Sequence, residues 1–293
     1  MQIGVFAKVV ERPTLAEVFD ALVAGGFCTT QFNMSCAGLA DLANEIDVAQ
    51  VAAIRREAAA HGIELSAVSG TYNMISPDVQ VRREGLRQLR VLAAACAGMG
   101  TSLITLCTGS RDAHNMWRWH ADNASPEAWH DLVTEMRQAV KIADEFGVTL
   151  GVEPEGANVV ADAHKARQLL DELGSPRVKI VMDGANLFHD GDFTHQQSRM
   201  DEAFELLSKD IVLAHAKDLV SVAQGDGRSG IEWRAAGQGS LDYPHYLRLL
   251  HQHGFEGALL LHGLDESQID GCANFLHATL LHATLLHEIA AQN

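Results

Sequence analysis

Eight short apolar runs, each followed by a longer stretch of mixed polarity, constrain this chain more than any other feature. The runs are IGVFA (3–7), FCTTQF (27–32), IELSAVS (63–69), SLITLCT (102–108), VTLGVE (148–153), KIVMD (179–183), IVLAHA (211–216) and ALLLH (258–262). Near-continuous apolar strands that alternate with amphipathic helices predict a parallel sheet covered by helices, because such strands are buried on both faces. The helix signals are local and physical. Thr14 with Glu17 makes a capping box, Ser125-Pro126 opens a helix that stops at Gly147, and Asp242 precedes YPHYLRLLHQHG. Eight strand–helix units in 293 residues fit a single closed (β/α)8 TIM barrel. The open doubly wound sheet is the rival, but its glycine-rich first turn is replaced here by KVVERP. One domain over 1–293 is expected, with a C-terminal helix over 265–292 packing on the barrel. That helix carries a tandem, HATLLHATLLHE, whose His277, His282 and His287 fan around the axis at five-residue spacing and so cannot share a metal.

Composition narrows the function classes. The net charge of −16 repels phosphate backbones, which argues against nucleic-acid binding. Five cysteines with no CxxC pair suggest a reducing compartment without a disulfide framework. The N-terminal apolar run is too short for a signal segment, and no stretch is long enough to span a membrane. A cytoplasmic location is expected, and homo-oligomerisation is left open.

Chemistry in a barrel of this kind belongs where the strands end, because the βα loops converge there. The fifth run closes on Glu153, with Glu155 just beyond. The sixth closes on Asp183, the seventh on His215 with Lys217 following, and the eighth on His262. Each residue alone has a structural reading: a loop ion pair, a helix cap, a core histidine. Four such residues on consecutive strands at one end point instead to a metal site of Glu153, Asp183, His215 and His262. Two carboxylates with two imidazoles suit Mn²⁺, Fe²⁺, Co²⁺ or Zn²⁺ better than the oxygen-seeking Mg²⁺ or Ca²⁺.

With Glu153, Asp183, the His-Ala-Lys-Asp run at 215–218 and GQGSLDY at 237–243, the chain resembles the xylose-isomerase-like barrels, nearly end to end. This superfamily of sugar isomerases and epimerases also contains endonuclease IV-type enzymes. The resemblance implies a divalent metal, often Mn²⁺, held by Glu, Asp, His and a second Glu. This sequence departs twice: His262 stands where the second Glu is usual, and Asn186 where an Asp-x-x-His motif would place histidine. The first departure leaves one clear carboxylate base; the second argues against a trinuclear zinc site.

The reaction class implied is metal-dependent isomerisation or epimerisation of a small sugar or sugar derivative through an enediolate. A lyase or decarboxylase of an oxo-sugar or oxo-sugar acid is the alternative. Glu153 is the expected base, Glu155 a second carboxylate, Lys217 a stabiliser of oxyanion charge, and His262 a metal or acid–base group. Substrate contacts are expected from Tyr72 and Asn73 after the third strand. Further contacts are expected from Arg111 and Trp117 after the fourth, Asn158 and Asn186 after the fifth and sixth, and Arg234. Trp117 and Trp119 are candidates for an apolar wall against a sugar ring.

Overall fold

A computed structural model describes the backbone of residues 1–223 and 229–291, and the side chains of these except residue 229 and 282–291. The barrel strands are β1 (Gln2–Phe6), β2 (Thr29–Phe32), β3 (Glu64–Ser69), β4 (Leu103–Leu106), β5 (Thr149–Val152), β6 (Val178–Asp183), β7 (Ile211–Ala216) and β10 (Ala258–Leu261). They close in the order β1-β10-β7-β6-β5-β4-β3-β2 with every pairing parallel, which is a (β/α)8 TIM barrel. All eight apolar runs supply a strand. His215 on β7 lies beside Asp183 on β6 in register, which brings those two strand ends together directly.

The helices start where the capping signals place them. Thr14 and Glu17 form the reciprocal capping box of α1 (Leu15–Ala24). Helices α2 (Val48–His61) and α3 (Val79–Met99) follow β2 and β3. Ser125 caps α4 (Pro126–Phe146), which Gly147 ends at a φ of 70°. Helices α5 (Ala163–Leu173) and α6 (Gln196–Leu207) follow β5 and β6, and Asp242 caps α7 (Tyr243–Gln252). The last helix, α8 (Ile269–Ala291), buries Cys272, Ala273 and Leu276. It packs on α7 and β1. His277 is exposed, while the side chains of His282 and His287 lie outside the described residues.

One element has no counterpart in the sequence reading. Between β7 and α7, β8 (Asp218–Ala223) and β9 (Ser229–Arg234) pair antiparallel as a hairpin, outside the barrel sheet. Asp218 ties this insertion down: its carboxylate accepts from the backbone N–H of Leu219, Gly237, Gly239 and Leu241. The second glycine of GQGSLDY follows from that closeness. A Cβ at Gly239 would lie 2.3 Å from Asp218 Oδ1 and 2.5 Å from Leu219 O.

The barrel interior has two layers. Phe6, Ala67, Leu103, Val181, Leu213, Ala258 and Leu260 form an apolar floor. Gly151 leaves room for it, since a Cβ there would stand 2.9 Å from Val181. Side chains alternate between the faces of a strand, so residues two positions on share a face. Val181 is followed by Asp183, Leu213 by His215 and Leu260 by His262: the same strands carry a polar layer toward their C-terminal ends. All five cysteines are free. Among the described residues no helix is long and apolar enough to cross a membrane.

Candidate metal and substrate site

Glu153, Asp183, His215 and His262 each present one ligand atom within 4.8 Å of the others. His262 is therefore not a sealed core histidine. Its side chain keeps 16% of its surface exposed, and Nε2–H donates to Asp183 Oδ2 at 2.8 Å. Phe6 stacks on its ring at 5.0 Å and meets His215 edge-on at 5.0 Å, fixing the two imidazoles against one wall.

The carboxylates are held in place by one oxygen while the other faces the cluster. Asp183 Oδ1 accepts from Ala185 N, capping the short 3-10 turn that follows β6, and Oδ2 faces His262 and Lys217. The cap role of Asp183 thus uses Oδ1 and leaves Oδ2 to the cluster. Glu153 Oε1 accepts from Asn186 Nδ2 at 2.9 Å, and Oε2 lies 3.4 Å from His215 Nδ1. Cys107 Sγ–H points at the same Oε2 from 3.8 Å.

Lys217 places a cation beside the cluster. Its Nζ stands 3.5 Å from Asp183 Oδ2, 3.7 Å from Glu155 Oε2 and 4.0 Å from the centre of the Trp233 ring. Burial pulls its pKa down, but Asp183, Glu155 and Glu153 together outweigh that and hold it above the ordinary lysine value. Burial pushes the pKa of Asp183 up, but Lys217 and the hydrogen bond from His262 outweigh it and hold the pKa low. Glu155 is the exception: burial dominates and leaves its pKa raised despite Lys217. Burial also lowers the pKa of His262, which favours the neutral ring.

His215 gives the sharpest test of whether a cation fits. Its Nε2–H donates to Gln31 Oε1 at 3.0 Å, while Nδ1 is buried with no hydrogen-bond partner. A buried polar atom left unpaired costs about 1–3 kcal/mol. Here the unpaired atom faces a carboxylate oxygen, and two electron-rich atoms at that distance are reconciled by a cation between them. The donor set of two carboxylates and two imidazoles fits a divalent transition ion.

The cluster opens into a cavity of about 510 Å³ whose walls include Glu155, Lys217, Trp117, Trp233 and Lys8. A second cleft, of about 630 Å³, lies on the barrel flank between α1 and α8. It has acidic walls and no histidine. Of the residues proposed from sequence for substrate contact, Glu155 and Trp117 line the mouth cavity. The others are engaged elsewhere. Tyr72 is buried and donates its hydroxyl to Glu135 on α4 at 3.0 Å. Asn73 exchanges two hydrogen bonds with the backbone of Ser110, and Arg111 is clamped to Asp131 and Ile75 O. Asn158 accepts from Gly109 N and donates to Met116 O. Arg234 pairs with Glu232 on the hairpin. Trp119 is 60% exposed. Asn186 reaches the site indirectly, through Glu153 and Pro154 O.

The sequence reading passed over Gln31, Ser69, Thr105 and Cys107, the polar lining from the β2–β4 side, and Trp233 from the hairpin. Gln31 carried a signal, as a large amide inside an otherwise buried strand. Trp233 carried none, because its strand was not read as one.

A family model described as xylose isomerase-like TIM barrel matches residues 19–273. A search of curated proteins returned no match. Solved structures resemble the chain closely in fold and distantly in sequence. An L-ribulose 3-epimerase superposes with a TM-score of 0.74 at 15% identity, covering 99% of this chain and 97% of the other. A probable 3-DHS dehydratase from Bacillus anthracis gives 0.72 at 14% identity, covering 94% and 99%. A xylose isomerase-like barrel from Mycobacterium smegmatis, in complex with magnesium, gives 0.70 at 15% identity, covering 92% and 88%. The closed barrel, the matched length and the cluster at its mouth lead to one conclusion: this chain belongs to the xylose isomerase-like TIM barrel family.

Proposed function

We propose that this chain is a divalent-metal-dependent isomerase or epimerase of a small sugar or sugar derivative, working through an enediolate. The observation that carries the reading is the four-ligand cluster opening directly into a cavity that also holds Glu155 and Lys217. Mn²⁺ is the ion we favour, with Zn²⁺, Co²⁺, Fe²⁺ and Mg²⁺ as alternatives. A divalent ion bound there supplies Lewis acidity toward a carbonyl and its neighbouring hydroxyl, which acidifies the intervening C–H.

The rest follows from the protein's own groups. Glu153, steadied by Asn186, takes the proton from that carbon. Returned to the neighbouring carbon on the same face, the proton gives an aldose–ketose isomer. Returned from the opposite face it gives an epimer, and Glu155 is a further carboxylate in the cavity for that role. Lys217 stabilises the developing enediolate charge, and its stack on Trp233 keeps the ammonium directed into the cavity. Trp117 and Trp233 supply apolar surface against the ring and exclude water.

One observation favours a second reading, a lyase of an oxo-sugar or oxo-sugar acid. His262, neutral and partly exposed in the cavity, stands where a second glutamate is usual, and as a neutral imidazole it can take the C–H proton whose loss expels a leaving group. The test is a panel of sugars and oxo-sugar acids with Mn²⁺ in D₂O, read by NMR beside metal content. About one ion per chain and an isomeric product carrying solvent deuterium are expected. Release of CO₂ or water instead selects the lyase. Full metal retention by Asp183→Ala would overturn the site.

A further inference from the structure

We propose that Gln31 is a positioning residue that sets the tautomer of His215, so that Nδ1 is the nitrogen offered to a divalent cation. The inference rests on the metal reading above and adds which atom binds and what directs it. Gln31 is 3% exposed and His215 1%, so neither can satisfy its polar atoms with bulk water. The Gln31 amide nitrogen donates to Ser69 Oγ at 2.8 Å and to Thr105 Oγ1 at 3.0 Å. Both amide protons are thereby used, on hydroxyls from β3 and β4. The amide is turned by them so that Oε1 faces His215 Nε2 at 3.0 Å, and a carbonyl oxygen only accepts. Nε2 must therefore carry the proton.

In a neutral imidazole the other nitrogen is then a bare lone pair. That atom is Nδ1, buried, without a hydrogen-bond partner, and 3.4 Å from Glu153 Oε2. The opposite amide orientation would put the imidazole proton on Nδ1, 3.4 Å from Glu153 Oε2. A buried N–H would then stand at the point where a cation has to enter. Three strands on one side of the barrel thus control the donor atom of a ligand on the other, through groups that never touch the ion. Such outer partners fix the orientation and basicity of metal-bound histidines, and losing one costs 10–100-fold in metal affinity.

The test uses the full chain in three forms: wild type, Gln31→Met and Gln31→Glu. Mn²⁺ affinity is measured by calorimetry, and the His215 tautomer by long-range ¹H–¹⁵N NMR on metal-free protein labelled with ¹⁵N-histidine. The expected result is an Nε2–H tautomer in the wild type. Gln31→Met should lose that preference and about 10–100-fold of Mn²⁺ affinity. In Gln31→Glu the introduced carboxylate still accepts from Nε2–H and takes protons from both hydroxyls, so tautomer and affinity are kept. An Nδ1–H tautomer in the wild type overturns the proposal, as does Gln31→Met binding Mn²⁺ like wild type. If the wild type binds no divalent ion, the metal reading itself fails, whatever the tautomer spectrum shows.

Discussion

The floor and the mouth of this barrel are built on the same strands two residues apart, yet they are held together by opposite physics. In the floor, Val181, Leu213 and Leu260 interlock as apolar side chains. Their contribution is non-directional and scales with the area removed from water. In the mouth, Asp183, His215 and His262 form a directional network: Asp183 accepts through both oxygens, from Ala185 N and His262 Nε2, and His215 donates through Nε2 to Gln31 while its Nδ1 is orphaned. Buried charges of this kind add little net stability, because desolvation offsets their attraction. The same backbone therefore carries a layer that supports the fold and a layer that strains against it.

The contrast is broken most severely by exchanging function for fold at His262. His262→Gln should lower turnover on the identified substrate at least about 100-fold, the usual scale for losing an acid–base or liganding group. Its unfolding free energy should stay within about 1–2 kcal/mol of wild type when both are metal-free. Activity assays beside denaturant titration check this, and a variant that unfolds would move His262 into the floor's category.

The complementary change lies two residues earlier. Leu260→Ala should lose about 2–5 kcal/mol of stability by opening a cavity in the floor. Its Mn²⁺ affinity at temperatures where it stays folded should be close to wild type. A large drop in affinity at unchanged stability would mean that the two layers are not separable.

The smallest effect sharpens the comparison away from the site. Burial raises the pKa of Glu135 to about 7, against a weaker opposing hydrogen bond from Tyr72 and charge from Arg82. The folded state thus holds a proton that the unfolded chain releases at lower pH. Stability contributed by this group falls as pH rises from about 4.5 to about 7 and is level above that. Glu135→Gln keeps an acceptor for Tyr72 and removes the ionisation. It should gain about 1 kcal/mol over wild type above neutrality, allowing for solvent screening, and nothing near pH 4. Thermal unfolding across that window reads the difference, and a pH-independent offset would contradict it.

The legible and illegible parts of the site divide along this same line. Glu153, Asp183, His215 and His262 stand out because each ends an apolar run, and a strand end is a local property. Tyr72, Asn73, Arg111 and Asn158 also sit just past strands. Pinning the loop after β4 and satisfying its backbone uses the same polar residue types as holding a ligand, so position alone did not separate the roles. The β8–β9 hairpin escaped notice because it interrupts the alternation of apolar runs and helices between the seventh run and YPHYLRLLHQHG. With it went Trp233, the aromatic face over Lys217.

By itself the sequence determined the eight barrel strands, their order, the capped starts of α1, α4 and α7, and the four residues at consecutive strand ends. Those follow from apolar periodicity and capping, which act over a few neighbouring residues. Tertiary structure alone decided which atoms of those residues are free and what faces them. Gln31 and His215 are 184 positions apart, and only closure of the barrel sets one to orient the other. A hydrogen bond depends on distance and angle between specific atoms, and no pattern along the chain encodes those for residues brought together by folding.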